Sequence, residues 1–308
     1  MFYSGPAYRG SMKLGNEIAG DGRFVRQPNR FTARIEDGGE HPPEPGRYQI
    51  YASYACPWAQ RSLIVRELLG LQEVIGVTVV DPIRDERGWR MPGGDPVTGA
   101  EYLSELYLTS DPDYQGRYTV PAVWDRTAGR LATNDYPQIT LTLETAFRPW
   151  HAEGAPDLYP AGLRREIDEL NDTIFHGLNN GVYKAGFATS QEAYDEAVTR
   201  VFATLDMLEE RLAGRAFLHG EALTESDVRL YTTLARFDSV YYSHFKCSIR
   251  RLVDHPALWA YARRLYAIPG FRDTTDFDQI KRHYFITQTN INPTGIVPKG
   301  PELDWTAP

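Results

Sequence analysis

The chain changes character once, near Pro149-Trp150, and no other feature limits its possible folds so strongly. Before that point strand-like runs alternate with helical ones. Residues 48–52 (YQIYA) alternate as a strand does, 57–69 read as an amphipathic helix, and 74–80 form an apolar strand run. Residues 118–125 and 129–133, joined by Arg126-Thr127-Ala128, read as a hairpin, and a helix follows over 139–147. After residue 149 no strand pattern survives. Helical periodicity covers 163–178, 191–212, 228–237 and 258–266, with Thr224-Glu225-Ser226-Asp227 as the N-cap region of the third.

At 308 residues the chain is long enough for two domains. The order strand, helix, strand, hairpin, helix matches an α/β thioredoxin-like sandwich, and the remainder predicts an all-α domain. The expected organisation is an N-terminal extension over 1–46, a thioredoxin-like thiol-binding domain over 47–148, and a helical substrate domain over 149–308. Within the first domain, residues 81–117 carry the turn signals Pro82, Pro92-Gly93-Gly94-Asp95-Pro96 and Asp111-Pro112, and read as a long loop insertion. Such a loop inside a domain is functional or disordered. The stretch after Phe271 reads as an extended tail.

A net charge of −8 argues against a nucleic-acid partner, which needs clustered Lys and Arg. No apolar stretch is long enough to cross a bilayer. The N-terminus, with Arg9, Lys13, Glu17 and Asp21 among glycines, lacks the hydrophobic region of a signal peptide. Two cysteines in the whole chain fit a reducing cytoplasm better than a disulfide scaffold.

Cys56 falls at a strand-to-helix junction, with Pro57 suited to the first helical position. A thiol there meets unpaired backbone N–H groups and the positive end of the helix dipole, both of which favour the nucleophilic thiolate. Cys56-Pro57-Trp58-Ala59 has alanine where a dithiol redox site has its second cysteine, so a mixed disulfide on Cys56 needs an external thiol to resolve it. Cys247 reads as a small packed residue. Val120-Pro121 opens a strand; a cis proline there exposes the neighbouring backbone to a peptide-like ligand, and a trans edge-strand proline is the alternative. Asn134-Asp135-Tyr136 either grips the charged end of a small peptide or caps the following helix. Trp89, in the insertion, either covers a ligand or packs. With 19 Tyr and 6 Trp in the chain, some aromatics can line a pocket for a flat ring. The helical half offers Tyr183, Tyr231, Tyr241, Tyr242, His283 and Tyr284, of which His283 reads as structural more readily than as a general acid.

Together these features resemble a cytosolic glutathione transferase, and more closely the xi class, the glutathionyl-hydroquinone reductases. The likeness runs from Gly22-Arg23-Phe24 to Pro301. It rests on Ala55-Cys56-Pro57-Trp58-Ala59, Asn180-Gly181-Val182-Tyr183-Lys184-Ala185-Gly186-Phe187-Ala188 and Ser226-Asp227-Val228-Arg229-Leu230. Further matches are His244-Phe245-Lys246-Cys247, Lys281-Arg282-His283-Tyr284 and Asn292-Pro293-Thr294-Gly295-Ile296-Val297-Pro298-Lys299-Gly300. The resemblance implies that Cys56 attacks the sulfur of an S-glutathionyl-hydroquinone and that a second glutathione resolves the mixed disulfide. It also implies that Trp89 and Val120 hold glutathione, that Tyr183 and Tyr284 contact the aromatic ring, and that the protein is a homodimer. One departure stands out. Where the family usually has Glu-Ser to grip the γ-glutamyl group, this chain has Asp135-Tyr136. Asp keeps the charge with a shorter reach, and Tyr136 adds bulk. The co-substrate is therefore glutathione or another low-molecular-weight thiol such as mycothiol. Other readings are release of other thiol adducts, including protein mixed disulfides, and a non-catalytic thiol- or aromatic-binding protein on this scaffold. Retention of Cys56 argues against the last.

Overall fold

The computed structural model describes residues 17–306, and the first part of the expected extension, residues 1–16, lies outside the described residues. The chain forms two units, one from residues 27–155 and the other from 17–26 together with 156–306. Of the described residues ahead of residue 47, 17–26 thus belong to the helical unit and 27–46 to the sheet unit.

In the first unit, α1 (Pro57–Leu68) connects β1 (Tyr48–Ala52) to β2 (Gly76–Val79), and β1 lies beside β2 in parallel. After α2 (Leu103–Ser110), β3 (Ala122–Asp125) pairs antiparallel with β1, and β4 (Arg130–Thr133) antiparallel with β3, giving the order β2-β1-β3-β4. All five residues of β1 are buried, so its one amide, Gln49, needs an internal partner and donates to Thr78 Oγ1 at 2.8 Å. α3 (Tyr136–Thr145) packs on α1, and α2 packs on β4.

Two expectations are corrected here. The 81–117 insertion is not a structureless loop: it contains α2, whose Leu103, Leu106 and Tyr107 are buried. The insertion is also tied to the sheet through buried Asp95, which accepts hydrogen bonds from Tyr51 Oη, Thr78 Oγ1 and both the N–H and hydroxyl of Thr98. And α3 begins at Tyr136 rather than at 139, with Pro137 inside its first turn, where the missing N–H costs nothing.

The second unit is helical. α4 (Arg164–Ile174) runs through a π turn at Phe175–Asn179 into α5 (Gly181–Gly186), and α6 (Gln191–Leu212) follows. α7 (Glu225–Arg236) ends in a second π turn at Phe237–Tyr241. Its start is set by Asp227, which accepts from the Thr224 N–H and hydroxyl, from Leu218 N–H and from Tyr261 Oη. α8 (Pro256–Tyr266), α9 (Pro269–Arg272) and α10 (Phe277–Thr287) complete the unit. α10 lies where the sequence predicts an extended tail; Asp276 caps it through Gln279 N–H, and Ile280, His283, Tyr284 and Phe285 are buried. Beyond α10 the chain turns over residues 289–294 and then runs without regular structure, with Trp305 buried against Trp259, Tyr266 and Phe277.

Candidate functional site

Cys56 occupies the N-cap position of α1 with extended backbone (φ −86°, ψ 119°), and its carbonyl accepts from Gln60 N–H at 2.9 Å. The thiol therefore stands at the end of α1 where backbone donors have no intrahelical acceptor. Pro57 fits the first turn and fixes where the helix starts. The residue is 8% exposed, and its Sγ donates to the Val120 carbonyl at 3.4 Å. The Val120–Pro121 bond is cis and directly precedes β3. Sheet and helix thus bring Cys56, Val120 and Pro121 together.

Asp135 and Tyr136 open α3, which packs on the helix that Cys56 begins. The Asp135 carboxylate makes no cap hydrogen bond; the backbone carbonyl of the residue accepts from Gln138 and Ile139 N–H instead. Its Oδ1 accepts from Asn29 Nδ2 at 3.1 Å. The capping alternative for this side chain is therefore not what the fold uses. Asn134 is a structural residue: it donates to Tyr107 Oη and Thr119 Oγ1 and accepts from Phe31 N–H. The Tyr136 ring lies 4.7 Å from that of Trp58, over which the Arg61 guanidinium sits at 4.6 Å. Trp89 is buried in the insertion, with Arg84 5.1 Å from its ring, and its carbonyl accepts from Leu103 N–H at the start of α2.

In the helical unit, Tyr183 and Tyr284 share a hydrogen bond at 2.6 Å between hydroxyls, and Tyr241 reaches Tyr284 at 3.1 Å. Burial pushes the Tyr241 and Tyr284 hydroxyls well above the ordinary phenol range, so both stay neutral donors at physiological pH. Arg26 lies 4.8 Å over the Tyr183 ring and donates to Asn180 Oδ1. Tyr231 is not part of this cluster: its hydroxyl pairs with Thr275 and its ring stands edge-on to Phe271. Tyr242 follows the second π turn and is half-buried. His283 is buried beside Tyr284, with ring centroids 5.3 Å apart. Cys247 is buried and free, and burial pushes its thiol up to about 12, which makes it inert.

Sequence reasoning missed Asn29, Arg26 and Phe245. The first two stand in segments with no periodicity, where nothing marks their contacts with Asp135 and with Asn180 and Tyr183. Among the described residues no cluster of His, Cys, Asp or Glu could hold a metal ion, and no helix is long and apolar enough to cross a membrane.

Residues 55–146 match the family described as Glutathione S-transferase, N-terminal domain, and 191–264 match Glutathione S-transferase, C-terminal domain. The chain is 46% identical over 301 residues to glutathionyl-hydroquinone reductase YqjG of Escherichia coli (strain K12), covering 93% of this chain and 92% of that one. It is 45% identical over 285 residues to glutathionyl-hydroquinone reductase PcpF of Sphingobium chlorophenolicum, covering 91% and 90%. The crystal structure of glutathione-S-transferase Xi from Phanerochaete chrysosporium is similar with a TM-score of 0.90 and 45% identity, over 94% of this chain and 98% of that one. The glutathione-bound structure of YqjG gives a TM-score of 0.85 at 46% identity, over 94% and 96%.

Proposed function

The chain belongs to the glutathione transferases, in their xi class, and from that membership we propose that it is a thiol-dependent reductase freeing hydroquinones from their glutathione conjugates. In the first step the Cys56 thiolate attacks the sulfur of the aryl thioether. The carbon–sulfur bond breaks, the ring carbon takes the bonding pair and a proton, and the hydroquinone leaves. A disulfide between Cys56 and glutathione remains. A second glutathione thiolate attacks it, releasing oxidised glutathione and the Cys56 thiolate. The ring is reduced by two electrons as the two glutathione sulfurs become the disulfide of oxidised glutathione, and Cys56 ends unchanged.

The observation that carries this reading is Cys56 itself: a thiol at a helix N-terminus, beside the Val120 carbonyl, with Ala59 where an internal resolving cysteine would stand. An external thiol is then a requirement of the chemistry. Val120, Pro121 and Trp89 are the proposed elements holding the peptide backbone of that thiol, and Asp135 its ammonium group. Tyr183, Tyr241 and Tyr284 are the proposed donors to the quinol oxygens, where their hydroxyls draw electron density from the ring as its carbon takes the bonding pair. Tyr231, Tyr242 and His283 have supporting rather than contacting roles in this reading. A cytoplasmic homodimer belongs to the same proposal, on the family resemblance.

One observation favours a second reading, in which the co-substrate is mycothiol. Tyr136 places a ring against Trp58 where the family carries a small hydroxyl, so the mouth for the amino end of the thiol is reshaped. Intact mass spectrometry after separate incubation with oxidised glutathione and oxidised mycothiol decides between them. The expected result is a glutathione adduct on Cys56 that reduced glutathione removes. A mycothiol adduct alone would establish the second reading. Cys56→Ala should form no adduct and lose roughly 10³-fold or more of reductase turnover, as when other covalent nucleophiles are removed; full activity in that variant would reject the mechanism.

A further inference from the structure

The segment 27–34 lies along the end of β4 and is pinned there at several points. Phe31 N–H donates to Asn134 Oδ1 at 3.0 Å, Asn134 N–H donates back to the Phe31 carbonyl at 2.9 Å, and Thr32 bridges Thr133. At its start, Gln27 accepts from Arg117 N–H at 2.9 Å and donates to the Arg117 carbonyl, while Arg30 pairs with Asp111 at 3.0 Å. Asn29 sits between these anchors and donates its amide to Asp135 Oδ1 at 3.1 Å. Asp135 is held from its own side as well, its N–H donating to Thr133 Oγ1 at 3.0 Å.

From this geometry we infer that Asn29 is a positioning residue for thiol recognition, holding the Asp135 carboxylate so that its other oxygen takes the ammonium of the γ-glutamyl group. The inference rests on the reductase reading above. The physical need is specific to this chain. Aspartate is one methylene shorter than the glutamate usual in the family, and its side chain does not cap α3, so nothing in α3 itself fixes the direction of the carboxylate. A fixed donor on one oxygen does so. The donor is also neutral: an amide orients the carboxylate without cancelling the charge that an ammonium requires, as a lysine or arginine would. A carboxylate has about four acceptor sites, so one amide leaves room for a second partner.

The test compares glutathione with its analogue lacking the α-amino group, glutaryl-cysteinylglycine, as the resolving thiol for wild type, Asn29→Ala and Asn29→Leu. The leucine variant keeps volume and separates lost packing from a lost hydrogen bond. Both variants should raise KM for glutathione about fivefold, the equivalent of one hydrogen bond, with kcat unchanged. KM for the des-amino analogue should not move. Equal changes for both thiols, or none for glutathione, would overturn the inference, because a merely structural residue cannot sense the amino group. Wild-type protein that uses both thiols equally well overturns it while leaving the reductase reading intact. Absence of turnover of a glutathionyl-hydroquinone by wild type overturns both.

Discussion

Gly186 shows how one missing side chain shapes the aromatic cluster. A β-carbon at this position would lie 2.2 Å from Phe245 Cγ and Cδ1, far inside van der Waals contact. Phe245 in turn stacks on Tyr241 at 5.4 Å and stands edge-on to Tyr183 at 5.3 Å and to Tyr284 at 5.6 Å. The glycine thus sets how closely that ring supports all three hydroxyl-bearing tyrosines. Gly186→Ala is expected to displace Phe245 and destabilise the protein by about 1–3 kcal/mol, the usual cost of overpacking a core. KM for a glutathionyl-hydroquinone should rise while Cys56 still takes up glutathione. Thermal unfolding and steady-state kinetics on the variant check both parts, and an unchanged melting point with unchanged KM would refute the argument. The motif around Gly186 is visible in the sequence as a family match, but its reason is Phe245, on a later element of the unit, which no local pattern reveals. Cys56 is the opposite case: the strand before it, the proline after it and the helix beyond make its position legible without coordinates. Asn29 is legible in neither way, since its partner Asp135 is distant in sequence and its own segment has no period.

Among the elements, α8 begins without a cap of its own. His255 in its N-cap position makes no side-chain cap bond; Glu209 of α6 supplies both oxygens instead, accepting from Ala257 and Leu258 N–H at 2.7 Å each. Two charge-assisted bonds onto the positive end of a helix make this a strong tie between α6 and α8. Glu209→Ala should cost about 2–3 kcal/mol and Glu209→Gln about half as much, read from urea unfolding midpoints. A loss under about 0.5 kcal/mol, typical of a surface residue, would show that water serves α8 equally well. Elements with long, clean periods are the ones legible in the sequence: α6 spans the residues its spacing predicts, and Thr224-Glu225-Ser226-Asp227 marks the start of α7, which takes in the last three of them as its first turn. The missed helices have a physical explanation. α2 is only eight residues long, so its buried Leu103, Leu106 and Tyr107 complete barely two turns between strong turn signals. α10 carries a helical spacing at Phe277, Ile280 and Tyr284, but Pro269 lies ahead of it and a Pro- and Gly-rich tail behind, so a window across the region averages its period away.

For the whole molecule, the buried titratable groups predict how stability changes as the solution becomes acidic. His244 is 4% exposed, its Nε2–H donates to Gln288 Oε1 at 2.9 Å, and burial pushes it down to about 4 from its ordinary 6.5. Below pH 6.5 the unfolded chain takes up a proton there that the folded chain refuses, so stability is full above 6.5 and is lost as pH falls toward 4. His219 and His255, also lowered chiefly by burial, act in the same direction. Asp125 belongs to a lower window. Burial pushes its carboxyl up, but hydrogen bonds from Arg47 and His41 outweigh that and hold it at about 2, below the usual 3.8. Its contribution is present above pH 3.8 and disappears as pH falls through about 2. Asp227 and Asp238, raised by burial, oppose the histidines, because the folded state binds their protons more readily as pH falls. The balance is tested by replacing the group with the largest downward shift among these histidines. His244→Gln removes a titration while keeping a polar partner for Gln288, so between pH 7 and 4.5 the variant should lose about 2 kcal/mol less stability than wild type. Urea midpoints measured at both pH values give that difference directly. Parallel losses in the two proteins would place the acid sensitivity elsewhere, with His219 and His255 the next groups to replace.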